Sequence, residues 1–284
     1  MIEVFKKYRW LKSLCRNKGV WIGGFIVLFM LFMAAFAPLL TPLDPMRLNP
    51  MGRLRPPMKG HLFGTDSMGR DIFSMVIYGS RISLQVGMLV MLITSFMGII
   101  MGLISGYYKI LDNIIMRVND GMMAVPSIIL AIALMAVLGP RVSNIIIALS
   151  VVYTPRMARI IRGSVLSAKE LAYVEAAKAL GTRDIVVAFR HILPNCVAPM
   201  IVQGTFISAY SVLAEASLSF LGVGAPPTIP SWGNVVSEGR LFMLEAPWIS
   251  LFPGIAILLF VMGLNFLGDG LRDSLDPKTQ GVNR

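Results

Sequence analysis

The stretch that decides the fold is Gly163–Asn195, which reads GSVLSAKELAYVEAAKALGTRDIVVAFRHILPN. It is the longest charge-bearing run between two apolar runs. Good helix formers dominate Val165–Leu180, and Gly181 is typical of the residue that ends a helix. A second short helix is predicted over Asp184–Ile192, and Pro194 is expected to close the segment. The pattern predicts a helix–glycine–helix unit, held between two membrane spans and shaped to dock on a partner.

The composition around this unit is that of an integral membrane protein. Of 284 residues, 56% are hydrophobic and 14% are charged, whereas a soluble protein carries about a quarter charged residues. Several uncharged, mostly apolar runs reach the roughly 18 residues that indicate a membrane-spanning helix. The net charge of +11 is typical of Lys and Arg in cytoplasmic loops, and no nucleic-acid-binding motif accompanies it. No P-loop sequence occurs, so ATP is not expected to bind this chain through one.

The first part of the chain predicts a tail, a span and an external segment. Residues 1–19 are basic and are interpreted as a cytoplasmic tail, followed by a first span over 20–40. A signal peptide is the alternative, but this apolar run exceeds the 7–15 residues of a signal sequence and Pro38 follows it directly. Residues 41–81 are rich in Pro and Gly and are predicted to be periplasmic. Within them, Asp71–Arg81 is expected to form a short helix lying at the membrane interface.

Five more spans are predicted in 82–268, a core that also contains the cytoplasmic loop 163–195. Residues 217–233 are interpreted as a re-entrant or external turn, and 269–284 as a cytoplasmic tail. The spans are bracketed by charged residues or by Pro and Gly. They cover 82–108, 121–140, 142–161, 192–214 and 246–268.

Six spans place both termini on the same side of the membrane. With the N terminus inside, 18 of the 26 Lys and Arg residues are cytoplasmic and eight are external. Because positive charge is retained on the cytoplasmic side, both tails and the loop 163–195 are predicted to be cytoplasmic.

The loop contains a recognisable motif. It resembles the EAA signature of permease subunits of bacterial ABC importers, in which EAA is followed after three residues by Gly and later by Ile-x-Leu-Pro. His191 stands where the general signature has Ile, and we interpret it as a mark of a subfamily. The residues that match the signature are Glu175, Ala176, Ala177, Gly181, Leu193 and Pro194.

Three further stretches resemble the dipeptide, oligopeptide and nickel branch of these permeases: FGTDSMGRDIFS at 63–74, EASLSFLGVG at 215–224 and LGDGLRDSLDPK at 267–278. The resemblance implies a type I ABC importer permease in the bacterial inner membrane, with six transmembrane helices and a coupling-helix loop. It implies as partners a second, homologous permease in a heterodimer, two cytoplasmic ATPase subunits and a periplasmic solute-binding protein. ATP and Mg²⁺ would be bound by the ATPases, and this chain would hold no cofactor. Short peptides are the implied cargo, with nickel, glutathione or another small solute as the alternative.

The resemblance also assigns roles to particular residues. Glu175 would make the polar contact to the ATPase, Ala176 and Ala177 would allow close packing, and Gly181 would turn the chain. Candidates for the substrate pathway or gate are Glu215, Ser217, Ser219 and Phe220; Glu215 has the alternative role of hydrogen bonding neighbouring helices. Candidates for contact with the binding protein are Asp66, Arg70, Asp71 and Trp232.

Other residues argue against different classes of protein. His61, Asp66 and Asp71 have no recognised metal-ligand spacing, so no metal site is predicted. An ion-coupled secondary transporter would show paired charges at mid-membrane and an internal repeat, and neither is evident. A membrane enzyme is excluded because the two histidines, His61 and His191, fall on opposite sides of the membrane.

Two features have a purely structural interpretation. Gly98, Gly102 and Gly106 recur every four residues and predict close helix packing. Cys15 and Cys196 both fall at the cytoplasmic side, so no disulfide is predicted.

Overall fold

The structure, a computed structural model, describes residues 17–275. Most of the predicted N-terminal tail, Cys15 and the second half of the predicted C-terminal tail lie outside these residues. Within them the chain is helical and has no β-strand. The helices are α1 (Lys18–Ala35), α2 (Ala37–Leu40), α3 (Ile72–Tyr107), α4 (Lys109–Ala124), α5 (Ser127–Leu138), α6 (Val142–Lys169), α7 (Ala172–Ala179), α8 (Asp184–Phe220), α9 (Trp232–Gly239) and α10 (Trp248–Leu275).

Five of the described helices are long and apolar enough to cross a membrane: α1, α3, α6, α8 and α10. The pair α4–α5 passes the same test only when its two helices are taken together. The prediction of an all-α membrane protein is therefore confirmed, and the described helices give the six predicted spans when the pair α4–α5 is counted as one.

Helix α3 is the central element of the bundle. At 36 residues it is about 54 Å long, far more than the hydrocarbon core of a bilayer requires. Its C-terminal half packs with α6 and α8 in one hydrophobic cluster, and its N-terminal half packs with α1, α9 and α10 in a second. Helix α3 therefore links the two halves of the molecule.

The separate interfacial helix predicted over Asp71–Arg81 is wrong, because α3 begins at Ile72 and runs through Arg81 without interruption. Asp71 caps this helix, with its carboxylate accepting a 2.8 Å hydrogen bond from the Ser74 N–H. Arg81 is tolerated inside the helix because its Nε donates, at 2.8 Å, to the carbonyl of Ala34 near the end of α1. A charge satisfied by protein does not mark the start of a span.

The close packing predicted for the α3 glycines is confirmed. Each of Gly98, Gly102 and Gly106 lies against one large side chain of α6, in register along both helices. A Cβ added at Gly102 would lie 2.6 Å from the Ile161 Cβ, and one at Gly106 would lie 2.6 Å from Val165 Cγ1. Because real Cβ atoms are not found that close to a neighbour, α3 and α6 can pack this tightly only with glycine at these positions.

We expect Gly102→Ala to destabilise the protein by about 2 kcal/mol, since the new methyl group overpacks against Ile161. Gly163→Ala is the matched control on α6, because a Cβ at Gly163 meets no heavy atom within 4 Å. The control should be neutral or stabilising by up to about 1 kcal/mol, as alanine favours the helix. Thermal unfolding of the two purified variants tests this, and equal melting temperatures would contradict it.

The span predicted over 121–140 is interrupted, because the chain bends by 94° between α4 and α5. The break lies at Val125–Pro126, where the residue before a proline is driven to extended backbone (φ −88°, ψ 132°). At its other end, helix α4 is held to α6 by an ion pair of Arg162 with Asp112, with Nε and Oδ1 2.5 Å apart.

The loop 163–195, which is predicted to be cytoplasmic, also differs in structure from its prediction. The helix expected over Val165–Leu180 is interrupted, since α6 continues to Lys169 and the extended residue Leu171 precedes α7. The second helix, which begins at Asp184, does not end at Pro194 but continues into the next span as α8. A π-helical turn at Val187–Ile192 precedes Pro194. Proline has no backbone N–H to donate, and the wider π-helical turn accommodates its ring within the helix.

Candidate functional site

The EAA residues lie on α7, a short helix that is anchored by one face and open on the other. Val174 is fully buried in the hydrophobic cluster of α3, α6 and α8. Glu175 and Ala176 are exposed, and Ala177 is half-buried. The burial of Val174 therefore fixes which side of α7 points away from the bundle.

Gly181 turns the chain after α7, as predicted. It has a φ of +77°, which is the left-handed conformation that favours glycine. The next amide, Thr182 N–H, donates back at 3.1 Å to the carbonyl of Ala177. This pattern is a helix C-terminal glycine motif, and it satisfies a carbonyl that the helix end would leave unpaired.

The end of the signature is tied to α7 by a side-chain bridge. Asn195 Nδ2 donates to Tyr173 Oη at 2.7 Å and to the carbonyl of His191 at 2.8 Å. Leu193 is half-buried against the core, and Pro194 is exposed. His191 therefore contributes to the bridge through its backbone.

An exposed apolar surface surrounds α7. A loop outside the membrane is expected to have a mostly charged surface, and this one differs. An exposed apolar patch with charged neighbours marks a site of protein–protein contact. The apolar side chains with the largest exposed fractions there are Leu180 at 86%, Ile185 at 65% and Phe189 at 57%.

A second polar cluster lies in the opposite half of the bundle, around the buried carboxylate of Glu215 on α8. Three hydroxyl groups donate to it: Ser231 at 2.8 Å, Ser219 at 3.0 Å and Ser83 at 3.2 Å. The Ser83 oxygen in turn accepts a hydrogen bond from Trp232 N–H at 3.2 Å. The carboxylate thus joins α3, α8 and the start of α9.

The four residues predicted for the pathway or gate are not together. Ser219 shares the buried cluster with Glu215, whereas Ser217 and Phe220 are on the exposed side of α8. Ser217 bonds only within its own helix, to the Leu213 carbonyl at 2.8 Å. Two roles were predicted for Glu215, in the substrate pathway or in hydrogen bonding neighbouring helices. The contacts observed for its carboxylate are hydrogen bonds between helices.

The residues predicted to contact a binding protein are buried inside this chain. Asp66, Arg70, Asp71 and Trp232 have exposed fractions between 0 and 6%. Any effect of these four side chains on a partner is therefore exerted through the shape of the external surface.

An ion cluster, missed in the sequence, explains the burial of Arg70. Its Nε lies 2.5 Å from Asp66 Oδ2, and its Nη2 pairs with Glu238 on α9. Burial raises the pKa of the Glu238 carboxyl, and the attraction of Arg70 opposes that shift. The cluster fastens the external segment to α9.

Ser83, Ser231 and Glu238 are the functional-site residues that sequence reasoning missed. Ser83 and Ser231 carried a weak signal, as small polar residues next to apolar runs. Glu238 carried none, because its partner Arg70 is 168 residues away in the chain.

These features define a class of protein. A bundle of membrane-spanning helices that presents a short helix with an apolar surround has the architecture of an integral membrane protein with a docking surface for another protein. Residues 94–281 match the family described as "binding-protein-dependent transport system inner membrane component", and residues 8–57 match the "N-terminal TM domain of oligopeptide transport permease C". The chain belongs to this family of inner membrane permease components.

Several relatives resemble it over nearly their whole length. A putative peptide transport system permease protein of Brucella abortus is 46% identical, covering 94% of this chain and 90% of the relative. The dipeptide transport system permease protein DppC of Alkalihalophilus pseudofirmus is also 46% identical, over 94% and 88%. The glutathione transport system permease protein GsiD of Pectobacterium atrosepticum is 41% identical, over 95% and 90%.

A solved structure shows the same fold. It belongs to a study of inward-facing conformations of the MetNI methionine ABC transporter, and the match has a TM-score of 0.60 at 16% identity. It covers 71% of this chain and 97% of that chain.

Proposed function

We propose that this chain is a membrane-spanning subunit of an ATP-driven importer of short peptides. The observation that carries the proposal is the set of relatives named as peptide or dipeptide permeases, at 46% identity over 94% of the chain. Glutathione, itself a short peptide, is the second candidate, since a relative named for glutathione transport is 41% identical.

In this proposal α7 docks on a cytoplasmic ATPase. Glu175 supplies the polar contact, the small side chains of Ala176 and Ala177 permit close approach, and Gly181 turns the chain. Two ATPase subunits bind ATP and Mg²⁺, and their closure moves this chain and a second, homologous permease between inward- and outward-open states. The exposed apolar surface around α7 supports a protein partner at this position.

The proposed orientation has both termini in the cytoplasm. It requires the bent pair α4–α5 to count as one span, which gives six. The distribution of Lys and Arg favours this orientation. A periplasmic solute-binding protein would deliver the peptide to the opposite face, which includes the external segment and α9.

The test of the proposal is Glu175→Lys. Reversal of the charge should reduce peptide uptake by about tenfold or more, because a charge-assisted contact is worth about 1.5–3 kcal/mol. Uptake and ATP hydrolysis are measured in vesicles containing the assembled transporter, with membrane levels of the chain checked. Glu170→Lys is the matched control, since Glu170 is exposed in the same loop but lies outside α7.

Unchanged uptake in the Glu175→Lys variant, at a normal membrane level, would contradict the coupling role. The cargo is tested separately, by identifying the small molecules that co-purify with the cognate binding protein. Peptides of two to five residues are expected, and a nickel complex alone would contradict the peptide assignment.

A further inference from the structure

Four helices meet at one side chain on the cytoplasmic side of the bundle, that of Tyr107, the last residue of α3. Its hydroxyl donates to Oδ1 of Asp184, the first residue of α8. The ammonium of Lys169, the last residue of α6, lies 5.3 Å from the centre of its ring. The ammonium of Lys178, on α7, lies 5.0 Å from the same centre.

Lys169 strengthens this junction through the backbone. Its Nζ donates to the carbonyls of Gly106 and Tyr107, at 3.0 and 3.3 Å. These belong to the last turn of α3, where carbonyls have no partner within the helix and where positive charge is favourable. The end of α6 is thereby fixed to the end of α3.

Helix α3 also connects this junction to the other half of the molecule. The glycine contacts at Gly98, Gly102 and Gly106 pack it tightly on α6. Towards its other end, Ser83 donates to Glu215. The 24 residue-to-residue steps from Ser83 to Tyr107 span about 36 Å of helix, so one rigid element joins the two sites.

We propose that Tyr107 is a positioning residue that couples movement of α7 to α3, and through α3 to the Glu215 cluster. The inference rests on the proposed docking of α7 on an ATPase, and it lies outside the EAA signature. Displacement of α7 carries Lys178 with it, and the tyrosine ring and hydroxyl transmit that displacement to α3 and α8. Cation–π contacts and a hydrogen bond to a carboxylate are each strong enough to keep these helix ends together.

The decisive variant is Tyr107→Leu, which removes both the ring face and the hydroxyl but keeps an apolar side chain. In the assembled transporter, we expect about a tenfold loss of peptide uptake per ATP hydrolysed, which corresponds to the loss of about 1.4 kcal/mol of coupling. The ATPase subunits should still co-purify, and ATP hydrolysis should continue without stimulation by the peptide-loaded binding protein. A residue that merely stabilised the fold would lower uptake and hydrolysis together.

Three further variants make the test specific. Tyr107→Phe keeps the ring and loses the hydroxyl, so its uptake per ATP should lie between wild type and Tyr107→Leu. Asp184→Ala removes the acceptor without touching the ring, and should match Tyr107→Phe. Ile110→Ala is the control at a nearby exposed side chain, and should retain the wild-type ratio.

The outcomes separate the proposals. Wild-type uptake per ATP in Tyr107→Leu overturns the positioning role, as does a loss of ATPase binding with no change in that ratio. If Tyr107→Leu does not fold, wild-type ratios in both Tyr107→Phe and Asp184→Ala overturn it instead. Failure of the proposed function itself would be recognised by a different result. The wild-type protein would then show no peptide-stimulated ATP hydrolysis at all.

Discussion

Arg70→Met should lower the stability of the protein by about 3–5 kcal/mol, the usual cost of removing one partner from a buried ion pair. The variant leaves Asp66, which is 1% exposed, with no cation at its Oδ2. It also removes the link between the external segment and Glu238 on α9. Thermal unfolding of the purified protein in detergent measures the loss.

Compensating and control variants sharpen this expectation. Adding Asp66→Asn to Arg70→Met should recover part of the loss, since residue 66 then carries no buried charge that lacks a cation. Glu238→Gln alone should cost less, because the Glu238 side chain is 28% exposed and solvent screens its charge. Arg47→Met, at an exposed arginine of the same segment, should change stability by no more than about 0.5 kcal/mol. A loss in Arg70→Met no larger than in Arg47→Met would contradict the argument.

Glu215→Leu should have an effect of similar size. It deprives three buried hydroxyls of their acceptor, those of Ser83, Ser219 and Ser231. An unsatisfied buried donor costs about 1–3 kcal/mol, so we expect a total loss of about 3 kcal/mol or more. Because Ser231 also caps α9, limited proteolysis should cut the segment 221–231 more rapidly than in the wild type.

Two variants separate the charge of Glu215 from its hydrogen bonds. Glu215→Gln keeps an acceptor oxygen and should be milder than Glu215→Leu. Ser217→Ala, at an exposed serine of the same helix, should be within about 0.5 kcal/mol of wild type. A fully stable Glu215→Leu variant that fails to transport peptides would point instead to direct contact with the substrate.

The features that sequence reasoning recovered are those encoded locally. Apolar runs indicate spans because only a helix satisfies its own backbone within the bilayer. The turn at Gly181 and the close packing of the α3 glycines were also predictable from local sequence. A single glycine indicates the turn, and a four-residue repeat of glycines indicates the packing.

The features it missed depend on tertiary contacts. Arg81 was taken as the boundary of a span, yet it is satisfied by a carbonyl of α1, 47 residues away. The burial of Arg70 and Trp232 was not predicted, because it depends on contacts with Glu238 and Val76, which are distant in the chain. The bend at Pro126 had a local signal, the proline itself, but composition alone indicated an uninterrupted span.

The glycine contacts between α3 and α6 constrain how this chain and its relatives diverge. At each pair of facing positions, the side chain on α3 and the side chain on α6 must together fit into one space of fixed volume. A larger residue at Gly98 is tolerated only together with a smaller one at Met157, and the same holds for Gly102 with Ile161. Sequence drift along these helices should therefore proceed by compensating pairs, and hybrids that exchange α3 alone between distant relatives should assemble poorly.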